Sequence, residues 1–360
     1  MSEAQPFLSS EHAQRARQAV RDLLDDYRGT IVARIGNTPL VRLDRINPHT
    51  RVKVFAKVEG CNPSGSVKDR LALYLLADAI RSGALKPESS VLEASSGNTG
   101  IALSMVGARL GLRVVVTVPD NVTVERHKII GAYGARPLLT PGELGTYGAI
   151  ERARELVASN QAGLVWVAQH FNEVNSFAHY ETTGVEIVQQ LAQLGEHRLD
   201  AFVATSGTTG TLMGISARLK ETLPKVQVVA VWPEDKIMGI RKPEGKNRPG
   251  IYRESLIDRV VEVSNKTAMD MVGKVATLEG LLLGPSGGAA IVGAVDAAQR
   301  VEAERGEGVV VVVLPDWGER YLSLDGFRPS YGRRATDLPV QPLRRKSDQE
   351  RAPEPEPDTK

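Results

Sequence analysis

From Val52 onward, short runs of apolar, β-branched residues alternate with longer stretches whose apolar positions recur at helical spacing. The runs Val52–Val58, Val91–Ala94, Arg113–Val118, Leu164–Val167, Ala201–Ala204, Val226–Val231 and Val309–Leu314 predict strands. Between and after them, helices are predicted over Asp69–Ser82, Thr99–Leu110, Val124–Tyr133, Tyr147–Ser159, Thr183–Leu194, Thr211–Leu223, Lys266–Leu278 and Ala289–Ala303. The strands are continuously apolar rather than alternating. That pattern predicts an α/β protein whose largely parallel sheet is covered by helices on both faces. Before this region, Glu11–Tyr27 carries Val20, Leu23 and Leu24 at helical spacing on an otherwise charged segment, and predicts a surface or interface helix. Gly36-Asn37 signals a turn at the start of Ile35–Leu43. From Arg333 the chain turns rich in proline and charge, and a disordered tail is expected.

Composition narrows the possibilities. With 360 residues, 42% of them hydrophobic, the chain can bury a substantial core in two or three lobes. A net charge of +2, from 45 basic and 43 acidic residues, argues against a nucleic-acid partner. No signal pattern opens the chain and no apolar run reaches bilayer length, so neither export nor membrane insertion is expected. The single cysteine, Cys61, allows no internal disulfide and no cysteine metal cage, so a reducing, cytoplasmic setting and no metal are expected. Cys61 itself reads as a small packed residue.

Candidate chemistry collects in strand-to-helix loops, where an open α/β sheet binds its ligands. Asn62-Pro63-Ser64-Gly65-Ser66-Val67-Lys68 puts a lysine at a helix start, where the helix dipole disfavours a cation. Lys68 is either a surface lysine beside a turn or an amine held as a Schiff base or with a lowered pKa. Ser95-Ser96-Gly97-Asn98-Thr99-Gly100 follows a strand and suits a carboxylate; one of its residues could instead be a simple helix cap. Thr205-Ser206-Gly207-Thr208-Thr209-Gly210-Thr211 combines glycines and hydroxyls at a helix start, as a phosphate cup does. It lacks the lysine of a nucleotide-triphosphate loop and the glycine spacing of a dinucleotide loop. Ser286, in Gly284-Pro285-Ser286-Gly287-Gly288, is either a cap or a partner for a ring nitrogen. A lysine, a carboxylate cradle and a phosphate cup together suit a phosphate-bearing aldehyde cofactor and an amino-acid substrate.

These residues resemble a known family. IGNTPLVRL from Ile35, NPSGSVKDR around Lys68, SSGNTG from Ser95, PDNVTVER from Pro119, AHYETTGVEI from Ala178, GTTGT from Gly207, PSGGA from Pro285 and PDWGERYLS from Pro315 are similar to the cysteine synthases, in fold type II of the pyridoxal-phosphate enzymes. Thr209 and the segment Met238-Gly239-Ile240-Arg241 resemble the B type most. The resemblance implies two open, twisted, mostly parallel sheets covered by helices, with the active site between two lobes. The implied organisation is an N-terminal helical extension over 1–34, a large cofactor-binding domain over 35–61 and 173–330, a small mobile domain over 62–172, and a disordered tail over 331–360.

Position by position, the resemblance implies that Lys68 tethers pyridoxal 5′-phosphate and later moves the substrate's α-proton. Asn98 is implied to meet the ring hydroxyl; Gly207, Thr208, Thr209, Gly210 and Thr211 the phosphate; and Ser286 the pyridine nitrogen. Ser95, Ser96, Thr99 and Gln169 are implied to hold the substrate carboxylate, and Arg241 to meet anionic substrate groups. The implied activity is β-replacement on O-acetyl- or O-phospho-L-serine, through an aminoacrylate, with sulfide or thiosulfate, giving L-cysteine. The expected partners are therefore a small amino acid and a sulfur donor, and a homodimer is expected. Cystathionine β-synthesis from serine and homocysteine, 2,3-diaminopropionate synthesis, and a cofactor-binding regulator without turnover are the rival readings. His170 stands where an aromatic residue is common and is expected to line the pocket. Trp317 replaces a smaller residue near the ring-nitrogen end, and Ser95 replaces a threonine.

Overall fold

A computed structural model describes residues 7–159, 163–245 and 248–327. The expected tail over 331–360 lies outside the described residues. Ten strands and ten α-helices follow one another along the described chain. The strands are β1 Leu40–Leu43, β2 Val52–Val58, β3 Ser90–Ala94, β4 Arg113–Pro119, β5 Arg136–Thr140, β6 Leu164–Trp166, β7 Ala201–Thr205, β8 Gln227–Pro233, β9 Arg259–Val263 and β10 Gly308–Leu314. The helices are α1 Ser10–Asp26, α2 Lys68–Arg81, α3 Asn98–Leu110, α4 Val124–Ala132, α5 Gly145–Ala158, α6 Val174–Glu181, α7 Thr183–Gln193, α8 Gly210–Thr222, α9 Asn265–Glu279 and α10 Pro285–Arg305.

Six strands form one sheet in the order β1-β2-β10-β7-β8-β9, and four form another in the order β5-β4-β3-β6. Only the β1–β2 pair is antiparallel. The fold is the expected α/β type with parallel-rich sheets. β10 shows why its apolar run does not alternate with polar residues. Val309, Val311 and Val313 face one core with Phe55 and Phe202, while Val310, Val312 and Leu314 face the other with Val54 and Val203. Both faces of this central strand are covered, so every position must be apolar. Burying each such side chain contributes roughly 1.5–3 kcal/mol. The second core is closed by α10, whose Ala289, Ala290, Ala294, Ala297 and Ala298 lie flat against the sheet. Gly288 has no room for a Cβ because the carbonyl of Ala268 on α9 occupies that space.

The N-terminal helix packs inward through Ala13, Ala16, Ala19, Val20 and Leu23, and Ser9 caps it by accepting the His12 N–H at 3.2 Å. Sequence reading missed β1, β5, β9 and α6, and placed the start of α10 four residues too late, at Ala289 instead of Pro285. Among the described residues no helix is long and apolar enough to cross a membrane.

The parallel order brings the chemistry together. β2, β10, β7 and β8 are adjacent and all but the edge β1–β2 pair run parallel, so the loops leaving their carboxyl ends lie side by side. Lys68 follows β2, Asp316 follows β10, Thr205–Thr209 ends β7 and begins the turn into α8, and Gly239 and Arg241 follow β8.

Candidate active site

A cleft of about 410 Å³ is lined by Lys68, the loop Ser95–Thr99, Thr146, Gln169, His170, Gly207, Thr208, Gly239 and Arg241. It continues into a second hollow of about 490 Å³ that shares Lys68, Asn98, Gly207, Thr208 and Gly239 and adds Thr209, Thr211 and Ser286. Apart from Gly210, the first residue of α8, every residue expected to hold cofactor or substrate lines one of these two hollows.

Lys68 is the first residue of α2 and is half-buried. The loop that carries it is tied down at both ends. Val67 N–H donates to Pro315 O at 2.9 Å, and Asp69 accepts the backbone N–H of Ser64 at 2.6 Å and its hydroxyl. No carboxylate among the described residues pairs with Lys68. Its amine pKa is lowered to about 8, chiefly by burial and further by the Arg241 charge, with Asp316 and Glu59 pulling the other way. The amine therefore loses its proton far more readily than an ordinary lysine, because it is buried and lies near the Arg241 charge.

Behind this loop lies a buried ionic cluster that sequence reading did not assign. Arg70 donates through Nε and Nη2 to the two carboxylate oxygens of Glu59 at 2.7 and 2.8 Å, and through Nη1 and Nη2 to Glu186 at 2.5 and 2.8 Å. Lys57 donates to Glu186 at 2.7 Å, and the Thr38 hydroxyl donates to Glu59 at 2.6 Å. The Asn62 amide donates to Glu59 and accepts the N–H of Gly36 at 2.9 Å. The cluster thus joins the Ile35–Leu43 segment to the start of α2. Only Lys57 and Glu59, set amid apolar neighbours, hint at it in the sequence; Arg70 follows two other charges, Lys68 and Asp69.

The two helix-start loops use their polar groups differently. The Ser95 hydroxyl accepts the N–H groups of Gly97 and Gly100, both at 3.1 Å, so it caps α3 while still carrying a donor proton. Thr99 donates to Gln169 Oε1 at 2.6 Å, and the Gln169 amide donates to Ala94 O at 2.9 Å. A side chain at Gly97 would collide with Arg126, which reaches over the loop to donate to Ser96 O at 2.8 Å. In the other loop the N–H groups of Gly207, Thr208 and Thr209 donate to no backbone carbonyl among the described residues. Thr209 sits at φ 68°, a left-handed conformation costly for a β-branched residue, and its buried Oγ1 has no partner. The Thr208 hydroxyl accepts from Asn175 at 3.0 Å, and Thr211 pairs with His179 Nε2 at 3.2 Å. Strained backbone and unspent donors at a helix start are what an oxyanion would satisfy.

Asn98 donates its amide to Asp316 at 2.6 Å and keeps a buried, unpartnered Oδ1. Asp316 also accepts the Tyr321 hydroxyl at 2.5 Å, and Arg126 donates to that hydroxyl at 2.8 Å. Asp316 was not among the expected site residues, although it lies inside the PDWGERYLS motif. Ser286 is in the first turn of α10, and Gly284 holds the cap position, so the cap reading of Ser286 falls away. Arg241 is half-buried; it donates through Nε to Gly207 O at 3.2 Å and through Nη2 to His170 Nε2 at 2.7 Å. Burial lowers its pKa to about 10. One expectation is corrected. Cys61 is exposed rather than packed, because it closes a short turn at the surface. Trp317 lies over Gly60 and bridges to Leu283, outside the residues that line the cleft.

The residues present fit a phosphate-bearing aldehyde with an aromatic ring. They offer unspent N–H groups and an orphaned hydroxyl for the phosphate, an uncompensated lysine amine for the aldehyde, and an orphaned acceptor on Asn98. The family described as "Pyridoxal-phosphate dependent enzyme" matches residues 31–316. A cysteine synthase of Aquifex aeolicus (strain VF5) is 41% identical over 302 residues, spanning 82% of this chain and 91% of that protein. Cysteine synthase B of Escherichia coli (strain K12) is 40% identical over 300 residues, 83% of this chain and 96% of that protein. The solved structure of an O-ureido-L-serine synthase superimposes with a TM-score of 0.78 at 39% identity, covering 86% of this chain and 98% of that one.

Proposed function

The chain belongs to the pyridoxal-phosphate dependent enzymes, in the cysteine synthase group, and on that premise we propose that it replaces the β-substituent of an activated L-serine with a sulfur nucleophile to give L-cysteine. The donor is O-acetyl- or O-phospho-L-serine and the nucleophile sulfide or thiosulfate. One observation carries the reading: Lys68, with its depressed pKa, faces both the Ser95–Thr99 loop and the Gly207–Thr211 turn within one continuous cleft.

Pyridoxal phosphate, when bound, supplies an electron-withdrawing ring that acidifies the substrate's α-carbon and assists loss of the β-substituent. Lys68 tethers it. The N–H groups of Gly207–Thr211 and the Thr208, Thr209 and Thr211 hydroxyls hold the phosphate. Asn98, whose orientation is set by the bond from Nδ2 to Asp316, would meet the ring hydroxyl. Ser286, a neutral group lining the second hollow, would meet the ring nitrogen without imposing a proton on it, which would favour elimination over transamination.

The substrate carboxylate is met by the donors of Ser95, Ser96, Thr99 and Gln169 at the positive end of α3. Once released, the Lys68 Nζ is positioned to take the α-proton. A pKa near 8 leaves a working fraction of free amine at neutral pH, which an ordinary lysine would not. Arg241 meets an anionic group carried by the substrate's β-position or by the sulfur donor.

The test is Lys68→Ala. Cysteine formation should fall by about 10²–10⁴-fold, the range expected for loss of a positioned proton carrier, and borohydride should no longer fix the cofactor to the chain. A Lys68→Ala protein with normal turnover overturns the assignment.

A further inference from the structure

His170 has no part in the chemistry above, yet it forms the wall of the cleft with Arg241. Both residues also line a neighbouring hollow of about 290 Å³ with Tyr147, Ile150, Phe171, Arg248 and Pro249, so the pair separates two spaces. An arginine can only donate, so His170 Nε2, which receives Arg241 Nη2 at 2.7 Å, carries no proton. The ring's single hydrogen is therefore on Nδ1, which is buried and has no partner. Only 3% of His170 is exposed, and Phe171 packs against its ring. Burial and the neighbouring Arg241 and Lys68 charges hold the imidazole neutral, well below its usual pKa.

The guanidinium is thus fixed by two neutral acceptors, the Gly207 carbonyl and the His170 ring. No carboxylate among the described residues pairs with it. A glutamate in place of His170 would hold the same group equally well but cancel its charge. An aromatic hydrocarbon would leave the charge but release the geometry. A neutral imidazole does what neither can: it orients the guanidinium and leaves its charge and remaining N–H groups for a ligand.

We infer that His170 is a specificity-determining positioning residue, whose unprotonated Nε2 aims Arg241 so that the cleft favours a donor amino acid with an anionic leaving group over one with a neutral ester. The inference rests on the reading that Arg241 meets an anionic substrate group.

The experiment measures kcat/KM for O-phospho-L-serine and O-acetyl-L-serine, with sulfide as nucleophile, in wild-type holoenzyme and in His170→Phe, His170→Gln, His170→Glu and Arg241→Ala. In His170→Phe the phosphoserine-to-acetylserine ratio should fall by about tenfold, the effect of one misplaced charge-assisted contact, and mainly through the KM for phosphoserine. His170→Gln, with a neutral amide oxygen as acceptor, should restore most of the ratio. His170→Glu should lower it at least as far as His170→Phe. A purely structural role would depress both donors together and leave the ratio unchanged, and that result overturns the inference. If Arg241→Ala collapses the ratio and His170→Phe does not, His170 alone is misassigned. If Arg241→Ala also leaves it unchanged, or if wild type shows no turnover of phosphoserine, Arg241 does not meet an anionic leaving group, and the inference fails together with that half of the reading.

Discussion

Arg70 and Arg241 flank the same chemistry and are held in opposite ways. Arg70 is 1% exposed and bonded to two carboxylates, Glu59 and Glu186, on segments far apart in the chain. Arg241 is half-buried and bonded only to a carbonyl and an imidazole. A buried charge is costly unless it is paired and hydrogen-bonded. In Arg70 the pairing is complete within the protein, so the charge serves the fold: it locks the start of α2, and with it Lys68, to the end of β2 and to α7. In Arg241 the compensation is incomplete, so the charge is available to a ligand. Where a protein leaves a withdrawn charge without a counter-charge indicates where a counter-charge is to be brought.

That contrast predicts different costs for removing the two. Arg70→Met should destabilise the protein by about 3–5 kcal/mol, because it leaves the buried Glu59 without its paired cation and Glu186 with Lys57 and the Asn37 N–H. Equilibrium denaturation of the cofactor-free protein measures it, and a loss below about 1 kcal/mol would erase the distinction between the two arginines. Arg241→Ala should change stability by less than about 1 kcal/mol in either direction, since a desolvated charge disappears along with two hydrogen bonds to neutral acceptors. Unfolding of that variant at the same midpoint shift as Arg70→Met would show that Arg241, too, is part of the frame.

The same logic explains what could be read from the sequence. Central strands are buried on both faces, and their unbroken apolar runs were legible: Val52–Val58 was placed to the residue, and Val309–Leu314 to within one. The three missed strands, β1, β5 and β9, are all edge strands with one fully buried residue each, and Arg42, Arg136 and Glu262 cut their apolar runs to two residues. Helix α6 was missed because its buried residues include the polar Asn175, Ser176 and His179 rather than an apolar stripe; Asn175 and His179 support the α8 turn. The loops that line the cleft were visible as clusters of glycine and hydroxyl residues. Asp316 and the Glu59–Arg70–Glu186 cluster were not assigned, because a charge acquires its meaning from partners that are distant in sequence. The His170–Arg241 contact joins residues 71 positions apart and has no local signature.

Glu93 offers a carboxyl counterpart to Arg241 and the finest of these tests. It is fully buried on β3, and among the described residues no cation pairs with it; its oxygens accept the backbone N–H groups of Ala94 at 2.9 Å and Gln169 at 3.2 Å, and the side chains of Gln169 and Trp166 also favour its charged form. Burial pushes its pKa up to about 8, from an ordinary 4.5, against the pull of those hydrogen bonds. The sign follows from proton counting. Between about 4.5 and about 8 the folded state binds the proton and the unfolded state does not, so Glu93 makes stability fall as pH rises through that window. Below it the residue costs nothing, because both states are protonated; above it the loss is complete. Glu93→Gln cannot ionise. Its Tm relative to wild type should therefore rise steadily from about pH 5 to about pH 8 and level off beyond, whatever fixed offset the amide introduces by accepting one N–H fewer. Thermal unfolding of both proteins across that range reads the difference directly. A difference that stays flat with pH would mean that Glu93 is ionised in the folded protein, stabilised by neutral hydrogen-bond donors, and that a withdrawn charge here needs no counter-charge from a ligand.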